Sequence, residues 1–214
     1  MEIHEVEDHL GAVERTVSSL ERDGKPARAV TLARSYKTRV EDVWDAVTND
    51  ERLPRWFLPI SGDLKLGGRY QLEGNAGGLI TACDRPSFLA VTWEFGGEVS
   101  WVEVQISDEG EGLARLTLTH TAHLSKHWTE YGPGAAGVGW ELGLMALTLH
   151  LAQPSKPRLD EEAFAASPGG KTFVTGSSEG WGQASIAAGT DKEAALAAAN
   201  QTTAFYTGEA AEHS

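Results

Sequence analysis

The chain has 214 residues, of which 41% are apolar, and a formal net charge of −13. That length and apolar content suit one folded domain with a substantial core plus an extension and argue against global disorder. The acidic charge, with no Lys and Arg cluster to offset it, repels phosphate backbones and anionic lipid surfaces, so nucleic acid and membrane are excluded as expected partners.

The start, Met1-Glu2-Ile3-His4-Glu5, leads into no apolar h-region. Neither a signal peptide nor a membrane span is expected, and cytoplasm is the expected location. Ile3, Val6, Leu10, Val13, Val17 and Leu20 alternate steps of three and four, which predicts an amphipathic helix over residues 3 to 20. Its seam would dock on its own domain; the alternative is a homodimer seam. Gly24-Lys25-Pro26 breaks the pattern.

Val30 to Tyr36 reads as a strand, and Thr38-Arg39-Val40-Glu41 as a capping box opening a helix with Val40, Val43, Trp44 and Val47 on its inner face. A short helical turn follows near Asp50 to Trp56. Alternating segments then appear around 63–66, 69–72, 79–83, 89–95, 100–106 and 114–121, separated by glycine-rich turns that predict an antiparallel meander. Cys83, the single cysteine, lies in this alternation and is expected to be a buried, unreactive thiol.

Alternation assigns Leu89, Val91 and Trp93, then Val102, Val104 and Ile106, then Leu116, Leu118 and His120 to one face of the sheet. Thr92, Glu94, Glu103, Gln105, Thr117 and Thr119 take the opposite, wet face, which Trp101 shares.

Residues 135 to 151 form a helix with two apolar arcs. Trp140, Leu144, Leu147 and Leu151 lie on one, and Val138, Leu142, Met145 and Leu149 on the other, with Glu141 and Thr148 on a polar strip between them. Such a helix must be covered on two sides. The last sixty residues turn rich in Ala and Ser and predict two helices, 177–188 and 191–206, with Asp191 as N-cap of the second. The expected division is an N-terminal helix over 1–24, a domain over 25–153 and a helical extension over 154–214.

The run Val40 to Trp56, the Gly67-Gly68-Arg69-Tyr70 turn, Val91-Thr92-Trp93-Glu94 and the long closing helix together resemble the START-like superfamily, also called SRPBCC. The branch they resemble is that of proteins related to the C-terminal domain of the activator of Hsp90 ATPase, in a bacterial single-domain subgroup that Trp181-Gly182-Gln183-Ala184 and Ala204-Phe205-Tyr206-Thr207-Gly208 also suggest. The resemblance implies an α+β helix-grip (START/Bet v 1-like) fold, a curved antiparallel sheet wrapped around a long C-terminal helix, with a cavity for apolar molecules. Residues 1 to 27 are too short for the further N-terminal domain by which the eukaryotic activator grips its chaperone, which argues against an Hsp90-type partner. No phosphate-binding Gly-x-x-x-x-Gly-Lys-[Ser/Thr] loop occurs, so ATPase activity is not expected.

The cavity implied by that fold would be walled by Trp56, Tyr70, Trp93, Val102, Val104, Trp140 and Leu144, with His120, Glu141 and Thr148 as polar anchors. The leading expectation is binding of a small hydrophobic or aromatic molecule. The alternatives are an enzyme of polyketide cyclase or aromatase type, with His120 and Glu141 as its acid–base candidates, and a protein-interaction or chaperone-associated module. Gly132-Pro133-Gly134-Ala135-Ala136-Gly137 matches a dinucleotide fingerprint in letters but lacks the βαβ context, so a packed helix entry is expected, or at most an anion held by its amides. His120, His123 and His127 have ligand-like spacing, yet an odd separation along a strand turns the first two to opposite faces. No metal and no cofactor are expected.

Overall fold

The computed structural model describes residues 3–208. Its elements in chain order are α1 (Ile3–Gly11), β1 (Glu14–Arg22), β2 (Lys25–Tyr36), α2 (Val40–Thr48), a 3-10 turn (Leu53–Arg55), β3 (Ile60–Gly62), β4 (Arg69–Leu72), β5 (Gly77–Asp84), β6 (Phe88–Phe95), β7 (Glu98–Gly110), β8 (Leu113–His123), α3 (Lys126–Tyr131), α4 (Gly134–Ala152), α5 (Glu161–Ala166), α6 (Pro168–Ala187) and α7 (Lys192–Thr207). Eight strands form one sheet in the order β1-β2-β8-β7-β6-β5-β4-β3. Every pairing from β3 through β8 is antiparallel. The architecture is α+β, of the helix-grip class.

The chain divides into two compact units. One comprises the residues up to Leu32, His123–Leu142 and those from Leu159 on; the other comprises Ala33–Ala122 and Gly143–Arg158. The expected N-terminal segment and most of the expected C-terminal extension thus fall in the same unit; residues 1, 2 and 209–214 lie outside the described ones.

Several sequence expectations are corrected. The helix expected over 3–20 ends at Gly11, and Glu14–Arg22 is a strand. Asp23 and Gly24 both take positive φ, at 52° and 73°, the pattern of a two-residue hairpin turn that closes β1 onto β2. The apolar spacing was real, but this Asp-Gly turn outweighs a helical seam. No side-chain capping hydrogen bond is made at the start of α2, whose N-cap is Arg39. The Thr38 hydroxyl donates to Asp42 Oδ2 instead, at 2.6 Å. The strand expected over 63–66 lies earlier, at Ile60–Gly62; residues 63–68 turn so tightly that a side chain at Gly68 would sit 1.9 Å from Asp63 O.

Cys83 is exposed. The register of β5 on β6 slips between Ile80 and Ala82 and sets Cys83 opposite Leu89, at an end of β5 that is left uncovered, with Cys83 and Asp84 both exposed. The extension is more helical than expected: α5 is an additional helix, and α6 begins at Pro168 rather than near Ser177, its first half lying in glycine-containing sequence. Close packing explains the glycines: a side chain on Gly176 would approach Leu10 Cδ1 to 2.6 Å, and one on Gly170 would meet Phe164 O at 1.9 Å.

In the first unit Trp181 is fully buried, and a Cβ on Gly137 would come within 2.2 Å of its indole. Gly134 abuts Thr202, whose hydroxyl donates to Tyr131 O at 2.8 Å. The glycines of residues 132–137 therefore serve close helix packing rather than a phosphate. In the second unit Arg52 ties α2 to the end of α4. Its Nη1 donates to Asp42 Oδ1 at 2.7 Å and Asp45 Oδ2 at 3.0 Å, and its Nε donates to His150 Nε2 at 3.1 Å. One helix, α4, has the length and apolarity of a membrane span, but half of that stretch is buried inside the protein; it also carries ion-paired Glu141 and buried His150.

Candidate functional site: an incompletely covered sheet face

The second unit contains most of the residues expected to wall a cavity. Cross-strand pairs Leu89 with Val104, Val91 with Val102, Val104 with Leu118, Val102 with His120 and Ile106 with Leu116 place them on one face, as the alternation predicted. Ile80, opposite Val91, extends that face into β5. Its flanks are closed, since Ile80, Val102, Ile106, Leu116 and Leu118 are buried. Between them Leu89, Val91, Trp93 and Val104 are only half-buried.

A polar pair sits at one end of this face. His120 Nε2 is 2.8 Å from Ser100 Oγ, and the Ser100 hydroxyl donates to Trp93 O at 3.1 Å. In that arrangement His120 carries its proton on Nε2 and donates it to Ser100. Burial holds the imidazole down at about 4, so it is neutral near pH 7. The Trp93 indole lies 6.2 Å from the imidazole, centroid to centroid.

The other expected residues of this unit divide by role. Trp56 is buried, and its Nε1 donates to Ala46 O at 2.9 Å, so it anchors α2 to the 3-10 turn. Tyr70 is buried and its hydroxyl donates to Thr92 O at 2.8 Å, with burial pushing the phenol pKa up. Leu144 is buried, and the half-buried Thr148 donates to Leu144 O at 2.8 Å.

Trp140 and Glu141 belong to the first unit, where Trp140 is half-buried and Glu141 is 1% exposed. Both Glu141 oxygens are held by Arg15, whose Nε and Nη2 each donate at 2.7 Å. Arg15 in turn caps Val13 O and Leu10 O at 3.1 Å. This is a bidentate buried pair of structural geometry. Each member of the expected His120–Glu141 acid–base pair thus has another close partner.

The three histidines of the ligand-like spacing also have different partners. His123 Nε2 lies 2.9 Å from Arg22 O, and His127 packs on the Tyr131 ring at 4.7 Å. Among the described residues no group of three or more His, Cys, Asp or Glu is gathered as a metal site would need.

Two buried polar residues escaped the sequence reading. Arg34 and Tyr36, on β2, are 8% and 4% exposed, whereas Ser35 between them is exposed and donates to Glu109 Oε2. The signal was present as alternation in a strand already recognised, but an arginine at an inward position was not weighed as a buried group.

Comparison with known proteins agrees with this architecture. Residues 37–152 match the family described as Activator of Hsp90 ATPase homolog 1-like protein. The crystal structure of CalU16 from Micromonospora echinospora is 33% identical over 67% of this chain and 88% of its own, with a TM-score of 0.58. Its solution structure aligns over 83% of this chain and 97% of its own at 29% identity, with a TM-score of 0.69. An HSP90 activator from Plasmodium falciparum shares the fold at 24% identity over 58% of this chain and 96% of its own, with a TM-score of 0.51. No curated protein matches. The chain belongs to the Activator of Hsp90 ATPase homolog 1-like family, within the START-like (SRPBCC) proteins.

Proposed function

We propose that this protein binds a small, largely apolar or aromatic molecule against the inner sheet face of the Ala33–Ala122 and Gly143–Arg158 unit. One observation carries the reading: Leu89, Val91, Trp93 and Val104 are half-buried in the middle of a face whose flanks are buried. Water on a row of large apolar side chains is unfavourable by roughly 25 cal/mol per Å². A ligand that displaces it recovers that free energy, and apolar walls with a few polar groups are the usual construction of a small-molecule site.

In this reading Trp93, Val102, Val104 and Leu144 form the wall, His120 and Thr148 supply orienting polar groups, and Trp56 and Tyr70 hold the frame. Trp140, expected as a wall residue, belongs to the other unit and has no part in this reading. A neutral His120 can accept a hydrogen bond without the cost of burying a charge. The enzyme reading has less support, because Glu141 is engaged by Arg15 and His120 by Ser100. The interaction-module reading would need an apolar outer patch around Trp101, which is itself half-buried.

Native mass spectrometry of freshly purified protein, beside the same sample after denaturing extraction, tests the proposal. A defined additional mass lost on extraction is the expected result. Apo protein that also fails to take up any added apolar compound would overturn it.

A further inference from the structure

We infer that the open end of the inner face selects a ligand whose polar group donates a hydrogen bond, a hydroxyl or amine on an apolar or aromatic frame, and that Ser100 is the residue that reads it. The inference deepens the proposed binding reading and rests on it.

Cross-strand pairs set the order of this end. As β6 and β7 run toward their hairpin, Val91 faces Val102, Trp93 faces Ser100 and Phe95 faces Glu98, and alternation puts all six side chains on the inner side. Their cover falls away in the same order. Val102 is buried, Val91, Trp93 and Ser100 are half-buried, and Phe95 and Glu98 are exposed, Phe95 by 59%. Solvent therefore reaches this end of the face, and Ser100 is the polar group met first on passing from the exposed Phe95–Glu98 row to the apolar wall.

The polar groups here accept rather than donate. A serine hydroxyl has one proton and two lone pairs. The Ser100 proton goes to Trp93 O at 3.1 Å, and its oxygen accepts from His120 Nε2 at 2.8 Å, which leaves one lone pair for a ligand. The carboxylate of Glu98, one row nearer the hairpin, is acceptor-only as well. A hydroxyl or amine brought to Ser100 therefore finds a partner. An ether or carboxylate oxygen placed there finds no donor, and the loss of its hydration goes uncompensated.

Displacement of the fluorescent probe N-phenyl-1-naphthylamine by three compounds of one ring system tests this: 2-naphthol, which donates a hydrogen bond; 2-methoxynaphthalene, its methyl ether, which cannot; and the anion 2-naphthoate. With wild-type protein the naphthol should displace the probe at about fivefold lower concentration than the more apolar ether, as one neutral hydrogen bond implies, and the naphthoate should be the weakest of the three. Ser100→Ala should bring naphthol and ether to within about twofold of each other, and Ser100→Thr, which keeps a hydroxyl, should retain the preference. Equal displacement by naphthol and ether with wild type, naphthoate as the strongest competitor, or an undiminished preference in Ser100→Ala overturns the inference while the apolar site stands. If Ser100→Ala fails to fold, the wild-type series decides alone. If the probe itself does not bind saturably, the inference and the underlying reading fail together.

Discussion

The two units solve the same packing problem in opposite ways. In the first, Trp181 and Phe173 are buried to within 1% of completion, Gly137 gives the Trp181 indole its space, and the buried carboxylate of Glu141 has both oxygens engaged. In the second, Leu89, Val91, Trp93 and Val104 remain half-buried on a face whose flanks are closed. Protein interiors tolerate few such omissions. The apolar area left incompletely covered in one unit, beside the close packing around Trp181 in the other, is what supports the proposed ligand site.

Substitutions should divide along the same line. The largest effect is expected for Arg15→Met, which strands Glu141 as an uncompensated buried charge. Urea unfolding should show a loss of about 4 kcal/mol, and a loss under 1 kcal/mol would mean that the pair is not the closed structural element described here. Gly137→Ala is expected to cost about 3 kcal/mol in the same assay, since its methyl group would overlap Trp181; a neutral result would remove the contrast.

The second unit should respond to pH through His120. Its folded-state pKa of about 4 lies below the ordinary 6.5, so the unfolded chain takes up the proton first. The stability this contributes is complete above about pH 6.5 and is lost as pH falls toward 4, by about 3 kcal/mol. His120→Gln should flatten that part of the stability profile relative to wild type, and NMR titration should find His120 neutral until near pH 4. The smallest change is expected for Leu89→Ala. A half-buried wall residue leaves little cavity behind, so about 1 kcal/mol is expected, below the 2–5 kcal/mol usual for a fully buried leucine. A fully core-like loss would show that the face is closed after all.

Much of this was legible in the sequence. Five of the six expected meander strands, the long helix, the inward series ending at His120 and the N-cap role of Asp191, whose side chain accepts from Ala194 N at 3.0 Å, follow from period-two alternation, helical spacing and capping chemistry. Three things were hidden. The Asp23-Gly24 turn lay inside a run whose three-and-four spacing suited a helix, so β1 was missed. Cys83 lies at the uncovered end of β5, opposite half-buried Leu89, and alternation carries no sign of where a sheet face stops being covered. The helix α6 needs glycines where neighbouring side chains approach closely, a tertiary requirement that overrides the low helix propensity of those residues.

The proposed site divides in the same manner. Its apolar wall could be read from alternation, whereas the commitment of Glu141 to Arg15, 126 positions away, depends on tertiary folding that no local pattern encodes.

Titration of N-phenyl-1-naphthylamine into wild-type protein and Val104→Trp tests the central claim most directly. Saturable one-to-one binding by wild type, weakened at least about tenfold by the larger side chain at an unchanged Tm, is the predicted result. The absence of saturable binding by wild type, or equal binding by the two proteins, would contradict the account.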